Sequence, residues 1–191
     1  MDNQYLGEAA VFLIQTVFGL FLILVMLRLL LQLVRGDFYN PISQFIVKTT
    51  NWALKPLRRI IPGLGGIDLA SIVLMLGVQM LVLFLIAMAR GFSVHFSGLT
   101  VLSIAELMAL LLNVYMMTII AQAILSWVGP GSHNPLSSLL YSLNEPVLRP
   151  FRRLIPAISG IDLAPLAALI VIQFTKILIV GPITSIGNSL S

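Results

Sequence analysis

Cysteine is absent from the 191 residues. Its absence excludes disulfides, thiolate metal sites, CxxC redox chemistry and covalent haem attachment, and leaves the redox compartment open. Charge is scarce as well. Asp, Glu, Lys and Arg together make 9% of the chain, against 59% hydrophobic residues and a mean hydropathy of +1.04. Soluble domains carry about 25% charged residues, so this composition suits a bilayer rather than water. With so few polar side chains, no nucleophile–base pair, glycine-rich phosphate loop or carboxylate dyad stands out. The reading is therefore non-enzymatic, with no cofactor. The N-terminus, Met1-Asp2-Asn3-Gln4 followed by Glu8, lacks the positive n-region of a signal peptide. The first apolar stretch is expected to stay in the mature protein.

What is abundant is apolar length. Four stretches, about Ala9–Val34, Ile67–Ala89, Leu99–Val128 and Ile161–Pro182, are long enough to span a bilayer, which takes about 20 residues as helix. Helix is the default because lipid offers no partner to an unpaired backbone group. Barrel strands would alternate in polarity over about 10 residues, and these stretches do not. The fold class expected is all-α, a polytopic membrane protein with four transmembrane helices.

The chain also says the same thing twice, 94 residues apart without a gap. Asn40-Pro41 returns as Asn134-Pro135, Arg58-Arg59 as Arg152-Arg153, Gly66-Ile67-Asp68-Leu69-Ala70 as Gly160-Ile161-Asp162-Leu163-Ala164, and Gln79 as Gln173. From Asn40 to Gln79, 15 of 40 positions are identical at that offset. A duplication divides the chain into two repeats, residues 1–94 and 95–191. Each has a connector between its two spans, and both connectors show helical amphipathic patterns, at about 41–61 and 135–155. Prolines at Pro56, Pro146 and Pro150 suggest two short helices per connector, lying in the membrane interface with the apolar face down.

Charge predicts orientation. The connectors hold eight basic residues (Arg35, Lys48, Lys55, Arg58, Arg59, Arg149, Arg152, Arg153), and the intervening loop holds one, Arg90. Positive-inside logic places both connectors in the cytoplasm and both termini outside. Two spans per repeat return the chain to the same side, so the repeats are parallel. A pseudo-twofold axis along the membrane normal is the expected relation. His95 and His133 then fall on opposite sides of the membrane and cannot share a metal, so no metal site is assigned.

The segments NPISQF…KPLRRIIPGLGGIDLA and NPLSSLLYSLNEPVLRPFRRLIPAISGIDLAP resemble the repeat of the YggT family of bacterial integral membrane proteins. Ile124-Leu125-Ser126-Trp127 is similar to that family's pattern too. The first copy departs slightly, with Trp52 in place of Pro146 and Leu31-Gln32-Leu33 in place of Leu125-Ser126-Trp127. The resemblance implies a range of roles: osmotic or ion stress, cell or organelle division, and, in plastids, cofactor attachment on a cytochrome. It brings no catalytic residues.

The residues themselves supply candidates. Lys55, Arg58 and Arg59 share a helix face, and Arg149, Arg152 and Arg153 repeat the spacing. Such a face meets anionic headgroups or an acidic protein partner, each basic residue contributing ~1 kcal/mol near the surface; setting topology is the plainer account. Gly66 and Gly160 are expected at turns. Asp68 and Asp162 are expected as helix N-caps, bridged to Arg59 and Arg153. Arg28, Glu106 and Lys176 are charges inside spans. Glu106 and Lys176 either pair within the second repeat or snorkel outward. Gln15, Gln79, Asn113 and Gln173 would be a sparse lining for a pore. The expected function is a membrane scaffold or assembly factor presenting basic amphipathic helices to anionic lipid and to a membrane or cytoplasmic protein partner. The alternative is a small channel or transporter component in ion or osmotic homeostasis. Nucleic acid is not an expected partner; further copies of the chain are compatible with the sequence.

Overall fold

A computed structural model describes residues 2–93, 95–128, 134–155 and 162–191. The first repeat folds as α1 (Asp2–Leu33), α2 (Pro41–Ile60) and α3 (Leu69–Arg90), and the second as α4 (Phe96–Val128), α5 (Pro135–Leu154) and α6 (Ala164–Thr175). From α6 the chain passes through a π-helical turn (Lys176–Val180) into α7 (Gly181–Ser189). Among the described residues four helical segments are long and apolar enough to cross a membrane: Tyr5–Leu33, Leu69–Arg90, Phe96–Ser126 and Ala164–Ser189. The chain is thus a multi-pass, all-α membrane protein built from two parallel repeats. Its first and third spans are the long ones. α4, with 33 residues, reaches ~50 Å at helical rise, well beyond a ~30 Å hydrocarbon core.

The repeated Asn-Pro explains how each connector helix starts. Asn40 accepts a hydrogen bond from the Ile42 N–H at 2.9 Å and Asn134 one from the Leu136 N–H at 3.0 Å. The following Pro41 and Pro135 occupy the first helical turn, where a missing N–H costs nothing. Each connector is one continuous helix, not two short ones. Pro56 lies inside α2, and Pro146 and Pro150 inside α5. All three sit on the exposed side of their helix, where the carbonyl four residues back, deprived of its donor, is not shut into the core. The first connector then turns through Gly65 (φ +60°) and Gly66 (φ +87°), left-handed conformations suited to glycine. Leu64 and Ile67 close that turn with reciprocal backbone bonds of 3.0 and 3.1 Å. Gly160, the expected turn residue of the second repeat, lies outside the described residues, as does His133.

The π turn has a local cause. Pro182 has no N–H to give the carbonyl four residues back, and a wider turn ahead of Gly181-Pro182 absorbs the mismatch. The Gly181 N–H bonds instead to the Lys176 carbonyl five residues back. In the first repeat the matching positions are Val82 and Met88, and α3 is regular there.

Packing departs from a closed twofold. α1 packs on α3, and α4 on α6 and α7; between repeats, α4 meets both α3 and α1. A twofold that brings α4 to α3 would also bring α1 to the fourth span, and among the described residues α1 makes no contact with it. The second repeat is instead seated on one side of the first. Leu107, Leu110, Leu111 and Val114 of α4, with Leu139 and Leu143 of α5, join a core built on Leu22, Val25, Met26, Leu29 and Leu30 of α1 and Met75 of α3. The Asn40 amide crosses the same junction to donate to the Pro135 carbonyl at 2.6 Å.

Candidate functional site

Two regions gather polar groups: the connector end of the bundle and a cleft among the spans. At the connector end, α2 has three faces. Ser43, Ile46, Thr50 and Leu54 are buried. Gln44, Lys48, Asn51, Lys55 and Arg59 form a polar stripe open to solvent, and Phe45, Trp52 and Ile60 form an exposed apolar stripe. The side chain that turns inward from the basic stripe is Arg58. Its Nε and Nη2 donate to Asp68 Oδ2 at 3.2 and 2.5 Å, and the Ser71 hydroxyl donates to the same oxygen. Burial alone would raise the Asp68 carboxyl. The hydrogen bonds from Arg58 and Ser71, with the Arg58 charge, outweigh it and hold the group below the usual carboxylate range. The second repeat rebuilds the lock at the same positions: Arg152 Nε donates to Asp162 Oδ2 at 2.9 Å and Nη1 to Glu145 Oε2 at 2.5 Å.

The expected bridges from Arg59 and Arg153 are therefore replaced by bridges from Arg58 and Arg152. One residue is 100° on a helix, and Arg58, four residues after buried Leu54, is the arginine that borders the packed face. Capping also divides between the copies. Asp68 makes no side-chain cap hydrogen bond, whereas Asp162 accepts from the Ala164 N–H at 2.9 Å. With Arg58 and Arg152 engaged, Lys55, Arg59, Arg149 and Arg153 stand exposed at matched positions. Next to them Ile60 and Leu154 are exposed as well.

Arg28 is buried and anchors α1 to α2. Its Nη1 donates to Thr50 Oγ1 at 2.8 Å and to the Val47 carbonyl at 3.3 Å, and its Nη2 to Asn51 Oδ1 at 3.3 Å. Shifted by 94 residues, Arg28 and Thr50 become Gln122 and Asn144. These too are bonded: Asn144 Nδ2 donates to Gln122 Oε1 at 2.8 Å, and Asn144 Oδ1 accepts from Thr118 Oγ1 at 2.7 Å. The same two positions tie span to connector in both repeats, once with a charge and once without. Sequence reasoning singles out Arg28 as a charge inside a span but not its partners. Applying the offset to Thr50 would have supplied the second half of each link.

In the spans, a cavity of about 240 Å³ lies among α1, α3 and α4, with Gln15, Gln79, Glu106 and Asn113 in its wall. Gln15 also lines a wider cleft of about 610 Å³ toward the loop end, with Glu8 and Arg90. Three of the four polar residues suggested as a lining thus converge with Glu106, while Gln173 faces outward from α6. Lys176 does not pair with Glu106. Its Nζ donates to Asn113 Oδ1 at 2.8 Å, an acceptor two turns further along α4. His95 is exposed in the loop between α3 and α4.

A family model described as CCB3/YggT matches the chain twice, over residues 7–89 and 101–183. Similar sequences include an uncharacterised protein of Pseudomonas aeruginosa, 45% identical over 178 residues, covering 92% of this chain and 90% of that one. An uncharacterised protein from the proC 3′ region of Vibrio alginolyticus is 44% identical over 180 residues, covering 90% and 95%. The uncharacterised protein YggT of Escherichia coli K12 is 36% identical over 182 residues, covering 94% and 93%. No solved structure matches.

Proposed function

Because the chain belongs to the CCB3/YggT family and carries four helices long and apolar enough to cross a membrane, we propose that it is a non-enzymatic membrane scaffold or assembly factor. Its connector helices hold a basic surface against anionic lipid headgroups and an acidic face of a partner protein. By the positive-inside rule that surface faces the cytoplasm of the inner membrane. One observation carries this reading. Each repeat engages one arginine of its basic triplet in the turn and leaves the other two exposed at identical positions, beside an exposed isoleucine or leucine. Charges needed only for topology have no reason to keep that arrangement twice.

Trp52, exposed on the apolar stripe of α2, reports on the lipid beside it. In a Trp127→Phe background, brominated phosphatidylglycerol in a mixed nanodisc should quench Trp52 fluorescence more than brominated phosphatidylcholine at equal content. Neutralising Lys55, Arg59, Arg149 and Arg153 to glutamine should abolish that preference. At ~1 kcal/mol per residue, the effect is well above detection. Equal quenching by both lipids in the unmodified protein removes the lipid arm of the proposal.

The cleft supports a second reading, a small channel or transporter component. A carboxylate and three amides from three helices line one cavity in the spans, and intramembrane ionisable groups mark ion or substrate paths. Cation flux into proteoliposomes should then fall at least tenfold with Glu106→Gln. Flux indistinguishable from empty vesicles rules this reading out and leaves the scaffold reading standing.

A further inference from the structure

The duplication carries a second consequence, because each repeat interface has an unfilled counterpart on the same molecule. The second repeat docks on the first through Leu107, Leu111 and Val114 of α4 and Leu139 of α5. Ninety-four residues earlier stand Leu13, Val17, Leu20 and Phe45. Val114 is 4% exposed and Leu139 7%, whereas Leu13, Val17, Leu20 and Phe45 are 61, 61, 60 and 60% exposed. The receiving surface shows the same contrast. Met26 and Leu30 are each 4% exposed in the first repeat, and their counterparts Ile120 and Ile124 are 43 and 52% exposed. The first repeat therefore keeps an open copy of the docking face, and the second an open part of the receiving face at Ile120 and Ile124, beside Ile119, which is buried like its counterpart Val25.

We propose that copies of this chain associate head to tail in the membrane, the Leu13–Val17–Leu20 face of α1, with Phe45, seating on the Ile120–Ile124 face of α4 in the next copy. The occupant is a second copy because, among the described residues, the surface that fits such a face is the duplicate of its own receiving side. Lipid tails are as apolar as leucine and provide no general drive for helix association. What selects the partner is side-chain packing of the kind the repeats already make with each other. The contact between repeats is heterologous, since among the described residues the fourth span does not reach α1. A heterologous contact repeated between molecules extends as a row rather than closing on itself as a twofold dimer. Asn40 and Asn134 fit the same scheme: Asn40 is buried at the junction, and Asn134, its counterpart, is exposed.

The cysteine-free chain allows a direct test. Leu20→Cys and Ile120→Cys variants, each with a different epitope tag, are co-expressed and treated with a short bismaleimide in native membranes. A cross-linked pair carrying both tags is expected, with neither variant cross-linking to itself. The double variant should give a ladder of three and more copies. Self-cross-linking of Leu20→Cys alone would overturn the proposal in favour of a twofold contact. Absence of the mixed pair, together with one photobleaching step per particle in native nanodiscs, would overturn association altogether. Both positions are exposed, so folding is not at stake.

Discussion

Replacing Arg58 with leucine lowers stability in detergent or nanodiscs by about 3 kcal/mol. The substitution leaves the Asp68 carboxylate, 5% exposed, without its cation, and a buried charge stripped of its partner costs ~3–5 kcal/mol. The lower end applies because a third of Arg58 is in solvent. The matching change at Arg152 costs ~1 kcal/mol or less, since Asp162 is 41% exposed. A double Arg58→Leu/Asp68→Leu variant recovers most of the loss. The pH dependence follows from the sign of the shift. Asp68 is held below its ordinary range in the folded protein, so its contribution is complete above the unfolded pKa, ~3.9. It disappears as pH falls through the lower folded value. In Arg58→Leu, burial is opposed only by the Ser71 hydrogen bonds, so the carboxyl rises and acidification removes less stability than it does in the unmodified protein. Thermal unfolding at a series of pH values for the three variants measures this. Equal losses for Arg58→Leu and Arg152→Leu would mean that the two locks are equivalent and that the burial argument is wrong.

The second large effect lies in the span-to-connector links. Thr50→Val is isosteric, yet it takes the closest acceptor, at 2.8 Å, from the buried Arg28 guanidinium. A hydrogen bond to a charged group is worth ~1.5–3 kcal/mol, and that is the expected loss. Arg28→Gln alone also destabilises, because glutamine does not reach all three acceptors of the guanidinium. The double change Arg28→Gln/Thr50→Asn gives the first repeat the neutral pair that the second already uses in Gln122 and Asn144. It should regain at least half of the single-variant loss. Unfolding midpoints for the unmodified protein, Arg28→Gln, Thr50→Asn and the double variant form the cycle. A double variant no more stable than the worse single one would show that the two positions are not interchangeable between repeats.

Much of this architecture is legible in the residues. The spans follow from apolar length, and the repeats from a fixed offset. What was not legible depends on rotation and depth. Arg58 and Arg59 are neighbours in sequence, but only the former lies four residues beyond buried Leu54, so the choice between them needs the packed face of α2. Pro56, Pro146 and Pro150 read as breaks, yet a proline whose bereft carbonyl lies on an open face can be tolerated within a helix. Glu106 and Lys176 are expected either to pair or to snorkel outward, and instead Asn113, on the same helix as Glu106, takes the ammonium. The cavity was half visible: Gln15, Gln79 and Asn113 were noticed, and helix pairing was needed to bring Glu106 among them and leave Gln173 out. The open, one-sided seating of the repeats was invisible, because identity at an offset says that two units are alike and nothing about which sides meet.

The prolines inside α2 and α5 also act as a depth gauge. Each leaves the carbonyl four residues back, those of Trp52, Ser142 and Pro146, without its helical donor. Those oxygens can be satisfied by water at the headgroup level but not in hydrocarbon, where each would cost several kcal/mol. With the connectors at the interface as proposed above, Trp52 and Ile60 would draw α2 downward, and the cost of dehydrating those carbonyls would stop both connectors at a fixed level. That level would set the height at which Lys55, Arg59, Arg149 and Arg153 stand above the acyl chains.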